Sequence, residues 1–174
     1  SIIKRHGGHI SVSSCVGKGT TFTFYLPASD EKKIIREKID AGTPINRSPA
    51  KILLLDDEET IRTTAAAMLE ELSFTVETVS EGKRALASYQ KALDGGKPFD
   101  LVILDLTIPG GMGGKETAQK ILQIDPQARL IVSSGYADDP IMANFSEFGF
   151  RGVVSKPYNF SKLSASLSSV LERN

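Results

Sequence analysis

Leu101-Val102-Ile103-Leu104-Asp105-Leu106-Thr107-Ile108-Pro109-Gly110-Gly111 is the stretch whose reading decides the fold. Four apolar residues run into one aspartate, and Pro and Gly then break the pattern. An unbroken apolar run of that length reads as a strand buried on both faces, which predicts a parallel sheet with helices on either side. Asp105 stands where the strand ends. In open α/β sheets the working site lies outside the carboxyl ends of the strands. An aspartate there can equally cap a turn, so this stretch alone leaves its role open.

Working outward, the same motif returns. Lys51-Ile52-Leu53-Leu54-Leu55 is a second apolar run, and it ends in Asp56-Asp57-Glu58-Glu59. Ile61, Ala65, Met68, Leu69 and Leu72 follow at helical spacing. Phe74 to Val79 alternates as a strand, and Ala85, Leu86, Tyr89 and Leu93 mark a second helix. Beyond the opening stretch, Thr117, Ala118, Ile121 and Leu122 predict a third helix, stopped near Asp125-Pro126. Leu130-Ile131-Val132 leads to Ser133-Ser134-Gly135 as a fourth strand. Asp139-Pro140 is a helix start, a capping Asp before Pro at the first helical position, with Ile141, Met142, Phe145 and Phe148 as one buried face. Val153-Val154 makes a fifth strand ending at Ser155-Lys156-Pro157, and Phe160, Leu163, Leu167, Val170 and Leu171 give a closing helix. Five strands alternating with five helices predict a doubly wound parallel α/β sheet over residues 50–174.

The 174 residues suffice for one such domain and an appendage. Lys and Arg total 21, as do Asp and Glu, so no net charge points to nucleic acid. Residues 1–49 carry eight basic and four acidic groups, against thirteen and seventeen in residues 50–174. The lone Cys15 excludes an internal disulfide and fits a reducing, cytoplasmic setting. No apolar run reaches the length of a membrane span.

Residues 1–28 read as the end of another unit. Ser1 to His6 makes a last helical turn stopped by Gly7-Gly8. Ile10 to Ser14 and Thr21 to Leu26 read as paired strands around Gly17-Lys18-Gly19-Thr20, a glycine loop that is weak evidence for phosphate binding. Phe22, Phe24 and Leu26 share one face. An isolated hairpin is marginal in water, so these three are expected to be covered. Residues 29–49, rich in charge and Pro, read as a linker.

Read together, the strand ends carry a set: Asp56-Asp57, then Asp105, then Ser134, then Lys156-Pro157. In a parallel sheet these ends share one edge. Three crowded carboxylates repel unless a cation sits among them. Carboxylates with a backbone carbonyl and water form a hard oxygen site suited to Mg²⁺ with a phosphate. A lysine supplies a compact positive charge for that phosphate.

This set resembles the receiver domain of two-component response regulators, over residues 50–174. The resemblance implies a flavodoxin-like (βα)5 fold and a phosphorelay function. It implies that Asp105 is the phosphoacceptor, Asp57 a direct Mg²⁺ ligand, Asp56 a partner acting through water, and the Thr107 carbonyl the completion of the metal site. It makes Ser134 the switch hydroxyl and Lys156 the partner of the phosphoryl group, with a cis bond expected at Lys156-Pro157. Two departures stand out. The loop Ile108 to Gly114 is one residue longer than usual, and Val153 stands where the family has an aromatic residue. Residues 1–28, through Lys4-Arg5-His6-Gly7-Gly8-His9-Ile10 and Gly17-Lys18-Gly19-Thr20-Thr21-Phe22-Thr23-Phe24-Tyr25-Leu26-Pro27, resemble the C-terminal edge of a sensor histidine kinase ATP-binding domain. Gly17 and Gly19 match its last glycine box. The kinase histidine and most of the ATP site have no counterpart, so this stretch is not expected to act as a kinase. Together the two resemblances imply the C-terminus of a hybrid sensor histidine kinase.

The expected partners are a histidine kinase dimerisation domain or a histidine phosphotransfer protein, with a homodimer compatible and nucleic acid excluded. Two alternatives remain at this point. An aspartyl-phosphate phosphatase would need a second aspartate two positions after the nucleophile, where Thr107 stands. A phosphate-independent binding module would leave the filled Asp, Ser and Lys positions without a purpose. On phosphorylation the response is expected to centre on the loop Ser134 to Asp139 and the helix after it.

Overall fold

The computed structural model describes residues 2–28, 50–109, 111–135 and 139–172. The linker reading of residues 29–49, and with it both domain boundaries, lies outside the described residues, as do 136–138 of the expected switch loop. The chain forms two compact units, Ser1–Gly42 and Thr43–Asn174.

The first unit holds a single helical turn, α1 (Ile2–Arg5), and an antiparallel hairpin of β1 (His9–Cys15) and β2 (Gly19–Tyr25). Gly17 and Gly19 adopt φ of 78° and 93°, so the loop is the glycine turn of a hairpin. Among the described residues of this unit, nothing covers its apolar face as expected. Phe22, Phe24 and Leu26 are 66%, 61% and 52% exposed. Both strands are exposed along their whole length, because two strands have no second layer of their own to bury a face against.

The second unit is the predicted sheet. Its strands are β3 (Lys51–Leu55), β4 (Thr75–Val79), β5 (Leu101–Asp105), β6 (Leu130–Ser134) and β7 (Gly152–Ser155), all parallel, in the order β4-β3-β5-β6-β7. The helices are α2 (Glu59–Glu71), α3 (Gly82–Asp94), α4 (Gly114–Ile124), α5 (Pro140–Ala143) and α6 (Phe160–Leu171). The apolar runs of β3 and β5 follow from burial on both faces. Leu53, Leu55, Val102 and Leu104 join one core with Ala85 and Tyr89 of α3 and Ile121 of α4. Ile52, Leu54, Leu101 and Ile103 join the other with Leu69 of α2 and Leu163 and Leu167 of α6. Fully burying one such side chain is worth about 1.5–3 kcal/mol.

The fourth helix departs from expectation. Its predicted face splits into the single turn α5 and a 3-10 turn at Phe145–Phe148, joined at Asn144 with φ −119° and ψ 36°, outside helical geometry. The Asp139 side chain does cap the start, accepting from the Ile141 amide at 2.8 Å. Met142 is buried, while Ile141, Phe145 and Phe148 pack half-buried against the first core. The long loop after β5 leaves α4 where the apolar spacing put it. Its first residue, Gly114, lies so close to β5 that a Cβ there would fall 2.2 Å from the Asp105 carbonyl oxygen.

The strand order places the site. From β3 the chain first adds β4 on one side, then β5, β6 and β7 on the other. Where the order reverses, the connections diverge and leave a crevice at the carboxyl ends of β3 and β5.

Candidate functional site

Asp56 follows β3 and is fully buried; Asp105 closes β5 at 3% exposure. Their carboxylates and that of the exposed Asp57 each offer an oxygen within 4.8 Å of the others. Lys156, just past β7, reaches between them, with Nζ 2.6 Å from Asp56 Oδ2 and 2.8 Å from Asp105 Oδ2. Ser134 is buried at the end of β6, and its carbonyl accepts from the Lys156 amide at 2.9 Å. The Lys156-Pro157 bond is cis, as expected.

Backbone donors hold the carboxylates. The Glu58 amide donates to Asp56 Oδ1 at 3.0 Å, and the backbone amide of Thr107, whose residue is exposed, donates to Asp105 Oδ1 at 3.2 Å. Arg62, from the first turns of α2, donates through Nη1 to the carbonyls of Asp56 at 2.8 Å and Asp57 at 3.2 Å. It thereby fixes the turn that carries both acids. Arg62 lies outside the strand-end pattern of the sequence. Its signal was a cation at the sixth position after Asp56, facing the carbonyl end of β3 once α2 begins.

Burial pushes the Asp105 carboxyl above the ordinary carboxylate value; hydrogen bonds from Lys156 and Thr107 pull it down, and Asp56 pushes it up again. Burial likewise works against the Lys156 charge, but hydrogen bonds to Asp105 and Asp56 outweigh it and raise the lysine. One ammonium faces two carboxylates, so its charge is well compensated, whereas the buried Asp105 shares that single cation with Asp56.

The residues fit a divalent cation. The donors are hard oxygens. Asp56 Oδ2 has the lysine as ion partner, yet no partner with hydrogen-bond geometry among the described residues. A buried carboxylate oxygen in that state favours a further positive charge.

The chain matches the family model "Response regulator receiver domain" over residues 52–168.

It belongs to the response regulator receiver family.

As a receiver, it carries the phosphoaccepting role of two-component signalling. The sensor kinase CckA of Brucella abortus is 30% identical over 180 residues, a match covering 99% of this chain but 18% of that protein. The chemotaxis protein CheY of Treponema pallidum is 27% identical over 139 residues, covering 79% of this chain and 94% of CheY. The ArcB aerobic respiration control sensor of Escherichia coli is 27% identical, with 94% of this chain matched to 20% of ArcB. The chain thus spans about a fifth of the length of these two sensor kinases. Among solved structures, Vibrio cholerae CheY4 superposes with a TM-score of 0.63 at 28% identity, over 71% of this chain and 99% of that one. A receiver domain protein of Clostridium thermocellum gives 0.63 at 27% identity, over 71% and 95%. No helix among the described residues of the receiver or the hairpin unit is long and apolar enough to cross a membrane.

The receiver also brings in an aromatic residue that the sequence reading did not single out. Tyr158 packs against the α2 and α6 side of the core, and its hydroxyl lies 2.9 Å from Ser133 Oγ. Val153, the position read as missing a ring, is half-buried against the opposite core.

Proposed function

We propose that Asp105 is the phosphoacceptor and that Lys156 and Ser134 bind the transferred group. The observation that carries this is Lys156 Nζ held at 2.6 and 2.8 Å between two buried carboxylates, Asp56 and Asp105, at adjoining strand ends. The donor is a phosphohistidine on a histidine kinase dimerisation domain or a phosphotransfer protein. An Asp105 carboxylate oxygen attacks phosphorus in line; the O–P bond forms as the N–P bond breaks, and the histidine ring departs and takes up a proton. Lys156 moves from a carboxylate partner to a phosphoryl partner without leaving the pocket. The Thr107 amide keeps the second Asp105 oxygen oriented away from the attack. Bound at these carboxylates, Mg²⁺ would supply positive charge to neutralise that developing on the phosphoryl oxygens. Asp57 would hold it directly, Asp56 through water, with Asp105 and the Thr107 carbonyl completing the set.

Moving a two-state equilibrium from 1:99 to 99:1 takes about 5.5 kcal/mol, whereas one hydrogen bond from Ser134 to a charged oxygen gives about 1.5–3 kcal/mol. Either Lys156 shares the switching with Ser134 or the shift is partial. In this reading the N-terminal hairpin is the edge of a kinase ATP-binding domain and the parent is a hybrid kinase working at the cytoplasmic side, supported by the CckA match across 99% of the chain.

Acetyl phosphate with Mg²⁺, followed by mass spectrometry, tests the site. Wild type gains one phosphoryl group, Asp105→Asn gains none, and Asp57→Asn labels at least tenfold more slowly and needs more Mg²⁺. Wild-type labelling of Asp105→Asn would overturn the assignment.

A further inference from the structure

Ser133 is the register partner of Asp105 across the β5–β6 pair, and its carbonyl accepts from the Leu106 amide at 3.0 Å. Paired residues in a parallel sheet share a face, and alternation sets Asp105 and Ser133 on the side of Ile103 and Ile131. Tyr158 belongs to that side too, in the core that includes Val154. Ser133 is fully buried, and its hydroxyl meets the Tyr158 hydroxyl at 2.9 Å. Tyr158 stands two residues after Lys156, at the point where the segment from β7 turns into α6. The β6 and β7 ends are thus joined twice: by the Lys156 amide on the Ser134 carbonyl, and by this hydroxyl pair one residue further into β6. Burial, with the nearby Asp56 and Asp105 charges, pushes the Tyr158 phenol well above its ordinary value, so the pair stays neutral and can act as a fixed strut.

We propose that Tyr158 is a positioning residue of the phosphoacceptor site: its hydroxyl, tied to Ser133, anchors the segment that presents Lys156, and so fixes the ammonium at the point where the phosphoryl group is received. The role runs through Lys156 and rests on the phosphoacceptor reading above. It does not run through the metal, whose carboxylates come from β3 and β5. Tyr158→Phe therefore separates the two. The ring and its packing stay, and only the strut is lost.

The test uses the full chain, with Tyr158→Phe, Ser133→Ala and the double variant. Beryllofluoride in saturating Mg²⁺ serves as the phosphoryl probe, and Mg²⁺ alone serves as the metal probe. Each single variant is expected to bind beryllofluoride roughly fivefold more weakly, the range that one neutral hydrogen bond spans. The double variant is expected to be no weaker than either single, and Mg²⁺ affinity without beryllofluoride is expected to stay within about twofold. In metal-free protein, the Lys156 ammonium protons, seen by ¹⁵N NMR, should exchange faster in Tyr158→Phe. Wild-type beryllofluoride affinity in Tyr158→Phe would overturn the proposal, whatever happens to its Tm. So would single-variant losses that multiply in the double variant, or an equal loss of Mg²⁺ affinity. Wild type failing to bind beryllofluoride would instead count against the phosphoacceptor reading itself.

Discussion

In β2, Phe22 and Phe24 alternate with Thr21 and Thr23; in β5, Leu101 to Leu104 carry no polar residue. The first strand is exposed throughout, and the second is buried throughout. Both contain strongly apolar residues, so side-chain type does not separate them. What separates them is the number of layers. β5 has α3 and α4 on one face and α2 and α6 on the other, all within its own unit. Among the described residues of its unit β2 pairs with one strand, β1, which lies in the same sheet. Burial belongs to the assembly of elements, and an alternating pattern reports only which face stands ready for it.

The largest expected effect tests that contrast directly. Leu54→Ala empties a fully buried position and should cost about 2–5 kcal/mol, whereas Phe24→Ala should stay within about 0.5 kcal/mol. Chemical denaturation of the two variants, monitored on the receiver transition, measures both. A Phe24→Ala loss as large as that of Leu54→Ala would break the comparison.

Two glycines sharpen it. Gly17 needs its freedom for φ of 78° but has open space around it, whereas Gly114 needs the space itself. Gly114→Ala drives a methyl group into the Asp105 carbonyl and should cost about 1–3 kcal/mol. It should also slow labelling by acetyl phosphate, since it displaces the proposed phosphoacceptor. Gly17→Ala should leave labelling unchanged.

A charge effect of smaller size follows at the pocket. Because the folded state raises the Asp105 pKa above 3.8, folded protein holds the proton longer than unfolded protein. Stability contributed by this group is therefore full at low pH and is lost as pH rises from the ordinary value through the raised one. In metal-free buffer at neutral pH, Asp105→Asn should melt a few degrees above wild type, and the gap should close in acid. A lower Tm for the variant at pH 7 would contradict the direction. The smallest effect is assigned to Arg62→Ala, which should weaken Mg²⁺ binding by only a few-fold, because it loosens the Asp56-Asp57 turn without removing a ligand. Titration calorimetry reads it.

The sheet was legible because β3, β5 and β6 are buried on both faces, and double burial leaves no polar interruption to misread. The strand-end set was legible for a related reason: in a parallel sheet, being last in a strand is a statement about position in space. The fourth helix misled because Ile141, Met142, Phe145 and Phe148 keep a helical spacing that a short helix and a 3-10 turn can share. Nothing in the sequence marks the break at Asn144 except its weak helix propensity. The partners of the site stayed hidden for another reason. Arg62 and Tyr158 act through a carbonyl and a hydroxyl, groups whose pairing depends on register and loop path rather than on residue pattern.

The lysine bridge has a consequence for how the protein is made. Asp105 and Lys156 are 51 residues apart in the chain. A ribosome adding about 5–20 residues per second leaves several seconds between them. Through that interval the nascent polypeptide already contains Asp56, Asp57 and Asp105, and its ammonium does not yet exist. β7 must then clear the exit tunnel before it can pair with β6. The bridge between Asp56 and Asp105 is therefore complete only after Lys156 has been added and β7 has paired with β6. A chain stalled before β7 presents these acids on an incomplete sheet, without the lysine that bridges two of them.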